Sequence, residues 1–247
     1  MDMFLNYKSA IWRLPLYLPL TKRDLLVPEF EIHRESMFCM YYAPHNEYIN
    51  RKARVFIVGL TPGWTQMKLA FEEARCCLEH GDSDENVLRK AKQAARFAGS
   101  MRTNLSKMLD VLGLQDQLQI SSTLTLFQEH QDLLHTTSVL QFPVFVNEKN
   151  YTGAHPVLLS NKYLRERAIS HITQEIQRLG PVLIIPLGKS VETILYRLDQ
   201  EGRLQGNTVL WNFPHPSGAN GHRHQQFAEH KQRMKQKLCD YFAGYKN

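Results

Sequence analysis

The 247-residue chain is long enough to bury a full core as one large α/β domain, and its 43% hydrophobic content is ordinary for a globular protein. A net charge of +6 and a pI near 9.1 favour a polyanionic partner, nucleic acid being the commonest. Four scattered cysteines (Cys39, Cys76, Cys77, Cys239) exclude a disulfide scaffold. The apolar run 11–20 is short and interrupted by Arg13, Pro15 and Pro19, whereas a secretory signal or membrane span needs a longer or cleaner run, so neither is expected. A soluble, cytoplasmic monomer is expected.

Residues 1–50 are rich in aromatics and prolines and meet no Ser/Gly linker, so they are expected to pack on the core as an extension of a single domain covering 1–247. The run 54–60 is β-branched, apolar and bounded by glycine, as a strand buried on both faces should be. Residues 66–80 and 84–97 read as two helices split by Gly81-Asp82-Ser83-Asp84, and together they make a helical insertion over 65–95. Thr103–Leu112 is a further amphipathic helix ending at Gly113. A second strand is expected at 137–146, a helix over Asn161–Leu179, a third strand at 181–188, a helix at 189–200 and a fourth strand at 207–213. A basic helix over Gln225–Phe242 closes the chain. Strands alternating with helices imply a three-layer α/β/α sandwich around a four-stranded, mainly parallel sheet.

In such a sheet, ligand sites form at the carboxyl ends of strands. Two Gly/Pro loops hang from those ends. Gly59-Leu60-Thr61-Pro62-Gly63 follows Val55-Phe56-Ile57-Val58, and His215-Pro216-Ser217-Gly218-Ala219-Asn220 follows Val209-Leu210-Trp211. This ordered pair resembles the uracil-DNA glycosylase superfamily, whose two motifs are Gly-x-x-Pro-(Gly/Tyr) and (His/Asn)-Pro-Ser. The stretch Pro181–Leu195 is similar to the superfamily's third strand and following helix. Arg96-Phe97-Ala98-Gly99-Ser100, with Leu105, Met108-Leu109 and Leu112-Gly113-Leu114, resembles the Phe-x-Gly and Leu-rich helix of the iron–sulfur branch. The cysteines do not match that branch's four ligands, so no cluster is expected.

The resemblance implies a monofunctional DNA glycosylase that flips out a base, hydrolyses its N-glycosidic bond and leaves an abasic site in double- or single-stranded DNA. No cofactor is implied. His215 would be a neutral imidazole donating to the pyrimidine O2, stabilising the departing anion. Ser217 and the adjacent amides would bind a phosphate. The wedge position falls at Ala219, so Asn220, His222 or Arg223 would enter the duplex instead. Phe97 would stack on the flipped base, with Trp64 a second candidate. Leu60 and the loop backbone would place a water with Thr61, which stands where efficient uracil enzymes carry Asp. A hydroxyl is no carboxylate base at neutral pH, and Glu47 or Glu148 is a candidate replacement. Gly63 replaces the tyrosine that blocks groups at C5. Thr137 or Ser138 occupies the position of the base-reading asparagine, and neither offers an amide's paired donor and acceptor.

Together these departures point to a modified, 5-substituted pyrimidine, with defence against modified phage DNA as a biological setting. A uracil or mismatch repair glycosylase is one alternative, and a lesion-binding protein without excision is another. A phosphate-cradling nucleotide enzyme ranks low, because neither Gly-x-Gly-x-x-Gly nor Gly-Lys-Ser/Thr follows the first strand. His215, His222, His224 and His230 lack an Asp, Glu or Cys at familiar metal-ligand spacing, so no metal is expected.

Overall fold

The computed structural model describes residues 2–16 and 19–244; Tyr17 and Leu18 of the early apolar run lie outside the described residues. The strands are β1 (Glu31–Arg34), β2 (Cys39–Tyr41), β3 (Val55–Gly59), β4 (Leu134–Ser138), β5 (Val144–Val146), β6 (Lys149–Asn150), β7 (Leu183–Pro186) and β8 (Thr208–Val209). The helices are α1 (Asp2–Trp12), α2 (Lys22–Leu25), α3 (Trp64–Glu79), α4 (Asp84–Ala95), α5 (Ser100–Leu112), α6 (Leu114–Leu118), α7 (Lys162–Leu179), α8 (Lys189–Gln200) and α9 (Arg223–Ala243). They group into two compact units interleaved along the sequence. The first comprises Met1–Ile49, Thr61–Ala98 and Leu140–Arg167; the second comprises Asn50–Leu60, Gly99–Val139 and Ala168–Asn247.

The second unit holds the parallel sheet, in the order β4-β3-β7-β8. Its register runs from Val55 opposite Leu134 and Leu183 to Gly59 opposite Ser138. Every residue of β3, β4 and β7 is buried. Successive side chains of a strand point to opposite faces, so burial of all of them means that both faces are covered, as a three-layer α/β fold requires. The strand at 207–213 is shorter than expected, because regular pairing stops at Val209. Leu210 still donates to the Ile184 carbonyl at 2.9 Å, and a left-handed Asn212 (φ 65°) then turns the chain.

One face of β4 carries a buried polar pair. His135 Nε2 lies 2.5 Å from Glu175 on α7, and the Asn50 amide donates to its Nδ1 at 3.3 Å. Since Nδ1 accepts, the proton of the neutral ring sits on Nε2 and points at the carboxylate. Two residues on, Thr137 Oγ1 is 3.1 Å from His171 Nε2, one helical turn before Glu175. Strand alternation puts His135 and Thr137 on the α7 side and Ser138 on the other.

The first unit contains a small antiparallel sheet, β1-β2-β5-β6, that the sequence reading does not anticipate. The expected strand at 137–146 is in fact two strands in two sheets. β4 ends at Ser138, with Val139 donating once more to the Gly59 carbonyl at 2.8 Å. β5 begins at Val144 and pairs with β2, Met40 opposite Val144. Between them Pro143 has no N–H to give a ladder, although its carbonyl accepts from Tyr41 at 2.9 Å. The two insertion helices pack as a pair, with Ser83 Oγ capping the second by accepting from Asn86 at 3.4 Å. That helix ends at Ala95 rather than residue 97, and Phe97 takes the left-handed region at φ 47°.

This unit also buries polar groups. Lys92 on α4 donates to the Tyr48 carbonyl at 3.1 Å. Asn46 and Gln141 exchange side-chain-to-backbone bonds at 3.0 and 3.1 Å. Beside them His45 is 2% exposed, and among the described residues neither ring nitrogen has a hydrogen-bond partner. Burial and the nearby Lys92 push its pKa down to about 3.

Candidate active site

The carboxyl edge of the parallel sheet gathers four chain segments within the second unit. The sheet order places β3 at the point where successive connections leave to opposite sides, β4 on one flank and β7 on the other. That switch point is where open α/β sheets bind ligands. Here Leu187 donates to the Val58 carbonyl at 2.9 Å and Gly188 to the Phe213 carbonyl at 3.0 Å. The His215 loop is thereby laid directly against the end of β7. Gly188 is held at φ 87°, and a Cβ there would lie 3.1 Å from the His215 Cβ. Only glycine permits both that conformation and that approach.

His215 is half-buried, and burial lowers its pKa below the ordinary 6.5. The Ser217 amide donates to its Nδ1 at 3.3 Å. The acceptor role at Nδ1 leaves the proton of the neutral ring on Nε2, so the loop fold selects a neutral imidazole with one outward N–H donor. Two amides fix the loop itself. Asn104 Nδ2 on α5 donates to the Pro216 carbonyl at 3.0 Å, and Asn220 Nδ2 donates to the His215 carbonyl at 3.1 Å.

Asn220, named above as a wedge candidate, is thus folded back into its own loop, and also reaches Gln226 at 3.0 Å. Exposed Gly218, Ala219 and His222 and half-buried Arg223 form the rim. Ser217 Oγ accepts from the Ala219 amide at 3.2 Å, which leaves its hydroxyl proton for an incoming acceptor. Beyond the rim, α9 presents exposed Arg233 and Lys237.

Of the two strand candidates, Thr137 is tied to His171, as described. Ser138 ends β4 opposite Gly59. Its side chain is on the other face, and among the described residues its hydroxyl makes no side-chain hydrogen bond.

The remaining candidates belong to the first unit, apart from Leu60, which is half-buried in the second. Thr61 Oγ1 donates to the Phe142 carbonyl at 3.0 Å and accepts from the Val144 amide at 3.1 Å. One lone pair is left, enough to accept a single hydrogen from water. Gly63 caps the start of α3, its amide donating to Gln66 Oε1 at 3.1 Å. Its missing side chain does not leave open space: a Cβ would lie 3.0 Å from Asn150 Nδ2. Asn150 is held there because its Oδ1 accepts from the Trp64 amide at 2.9 Å. Trp64 is half-buried and Phe97 is 5% exposed. Glu47 accepts from the Tyr42 hydroxyl at 2.6 Å, and the Glu148 carbonyl accepts from Lys22 at 2.6 Å. Among the described residues no three His, Cys, Asp or Glu side chains are grouped as a metal site needs, and no helix is long and apolar enough to cross a membrane.

Two of these residues carry weak sequence signals. Asn104 lies on an ordinary amphipathic helix, where a polar residue reads as surface. Asn150 borders the second strand, where turn chemistry explains an Asn equally well.

A four-stranded parallel α/β unit with a histidine loop at its switch point is the architecture of a base-excising enzyme family. The family model of the uracil DNA glycosylase superfamily matches residues 47–239, and the chain belongs to that superfamily, whose members are DNA glycosylases acting on DNA. A Bacillus subtilis (strain 168) protein named YoxB and described as uncharacterized is 45% identical over 230 residues, covering 92% of this chain and 90% of its own length.

Proposed function

We propose that this protein is a monofunctional DNA glycosylase that excises a 5-substituted pyrimidine from DNA, acts as a cytoplasmic monomer and serves defence against modified phage DNA. The observation that carries the catalytic part is the Ser217 amide on His215 Nδ1. It makes the ring a neutral donor at Nε2, the state suited to a base leaving as an anion. In the reaction the C1′–N bond breaks and its electron pair goes to the base, where the His215 N–H stabilises the charge on the pyrimidine O2. Water adds to C1′ and loses its proton to solvent, and the free base takes up a proton after departure. Ser138 reads the edge of the base, and the family resemblance alone would give Thr61 the water and Phe97 the stacking face. Ser217, His222 and Arg223 hold the DNA strand.

Substrate breadth follows from Gly63 and Asn150. Where a tyrosine would stand as a rigid wall, the chain has a glycine covered by the end of an amide side chain. That end is held by the Trp64 amide and yields to a substituent by giving up that bond. Gly63→Tyr is expected to displace the Asn150 amide and to remove activity on 5-substituted bases selectively. Equal activity of that variant on every base rejects the specificity argument.

The deciding experiment is an abasic-site assay on duplex and single-stranded DNA holding uracil, mismatched thymine, 5-hydroxymethylcytosine or glucosylated cytosine, with alkali cleavage as readout. Excision of the substituted bases alone is the expected result. Excision of uracil instead assigns the protein to repair. DNA affinity without abasic sites makes it a lesion-binding protein.

A further inference from the structure

We infer that Asn104 is a positioning residue for His215, acting through the Pro216–Ser217 peptide. The inference rests on the glycosylase reading of His215. The Pro216 carbonyl that Asn104 holds at 3.0 Å and the Ser217 N–H that reaches His215 Nδ1 at 3.3 Å belong to one peptide unit. That unit is planar, and its C=O and N–H point in opposite directions. Fixing the oxygen therefore aims the hydrogen.

The aimed bond is the longer of the two and close to the limit of useful geometry, so it depends most on orientation. A backbone carbonyl only accepts, so the group of Asn104 that faces it is the amide nitrogen. Asn220 Nδ2 holds the carbonyl of the preceding peptide, that of His215, at 3.1 Å, where Pro216 leaves no N–H to aim. The series Asn104 Nδ2–H, Pro216 C=O, Ser217 N–H, His215 Nδ1 polarises in one direction, each bond strengthening the next. Its end is a ring with the proton on Nε2. Asn104 sits on a rigid platform, flanked on α5 by buried Leu105, Met108 and Leu109. A helix thus sets the tautomer of a residue more than 100 positions later, without touching it.

The test is Asn104→Ala, since alanine is the best helix former and keeps α5 intact, with Asn104→Gln as the variant that retains an amide donor. The first readout is the 15N spectrum of the imidazoles in labelled protein, titrated with pH. In the parent protein His215 is expected unprotonated at Nδ1 and protonated at Nε2. In Asn104→Ala the ring becomes a mixture of tautomers. Its titration midpoint rises, because the lost N–H bond had favoured the neutral form. Single-turnover excision falls by about tenfold to a hundredfold, as for a misplaced catalytic group, with DNA affinity unchanged, and Asn104→Gln recovers part of the loss.

An Nδ1–H tautomer in the parent protein overturns the inference, and so does a folded Asn104→Ala protein with the parent tautomer and midpoint. If the parent excises no base, the glycosylase reading fails, while the imidazole spectra still decide whether Asn104 sets the ring.

Discussion

His215→Ala is expected to lower the rate of base excision by about 10²- to 10³-fold, the usual cost of removing one preorganised donor from a developing anion, with DNA affinity within a few-fold of the parent. The separation follows from the loop's construction. The Ser217 hydroxyl and the basic face of α9 contact DNA in the proposed complex independently of the imidazole. The excision rate should also fall on the acid side, at a pH below 6.5, because burial holds the His215 pKa under that ordinary value. Protonation there puts a hydrogen on Nδ1 facing the Ser217 N–H, so two donors meet and the loop must open. Single-turnover rates on the excised base, measured from pH 4.5 to 8 alongside filter-binding affinities, check both points. Unchanged excision in the alanine variant removes His215 from the mechanism.

His45→Leu is expected to make the protein markedly more resistant to acid. The buried imidazole has no partner at either nitrogen among the described residues, and its pKa is pushed down from 6.5 to about 3. An unfolded chain takes up a proton near pH 6.5, which the folded protein refuses until about pH 3. The folded protein therefore loses stability as pH falls through this window, at about 1.4 kcal/mol for each pH unit. Leucine has similar volume and no proton to exchange. The variant should gain about 1 kcal/mol at pH 7.5 by removing unpartnered polar atoms from the core. The gain should be larger by about 3 kcal/mol at pH 4.5. Urea unfolding at the two pH values measures this directly, and parallel pH dependences for parent and variant overturn it.

The parts of the molecule legible from sequence are those where one local property determines the outcome. β3 and β7 are short apolar runs because both their faces are covered, and Gly113 ends α5 because a left-handed residue must (φ 82°). The His215 and Thr61 loops are legible because few residues suit a turn at a strand end. What escaped depends on partners remote in sequence. β1, β2 and β6 are short and mostly half-polar, and become strands only by pairing with one another and with β5. The division of 137–146 falls between Val139, whose amide makes the last bond to Gly59, and Pro143, whose carbonyl joins the other sheet through Tyr41. Asn104 has the composition of a surface position and acquires its role from a backbone carbonyl 112 residues away. Gly63 reads as an opening, and only the folded chain shows the Asn150 amide beside it. Asn220 reads as a rim residue because its type suits DNA contact, yet its amide is spent on its own loop.

The strand order has a consequence for synthesis. β3 is the first strand of its sheet to leave the ribosome, but it lies between β4 and β7. Its apolar side chains are uncovered, and the N–H and C=O groups of its two edges have no ladder partner until the segment around Leu134 is made on one side and Leu183 follows on the other. At bacterial or eukaryotic elongation rates of about 5–20 residues per second, that is a wait of seconds with an unpaired edge. The α3–α4 pair, whose contacts with each other join neighbouring stretches of chain, can form during that interval. The nascent chain is therefore most vulnerable to aggregation after the first loop has appeared and before the histidine loop exists, which makes chaperone demand during translation a property of the sheet's strand order.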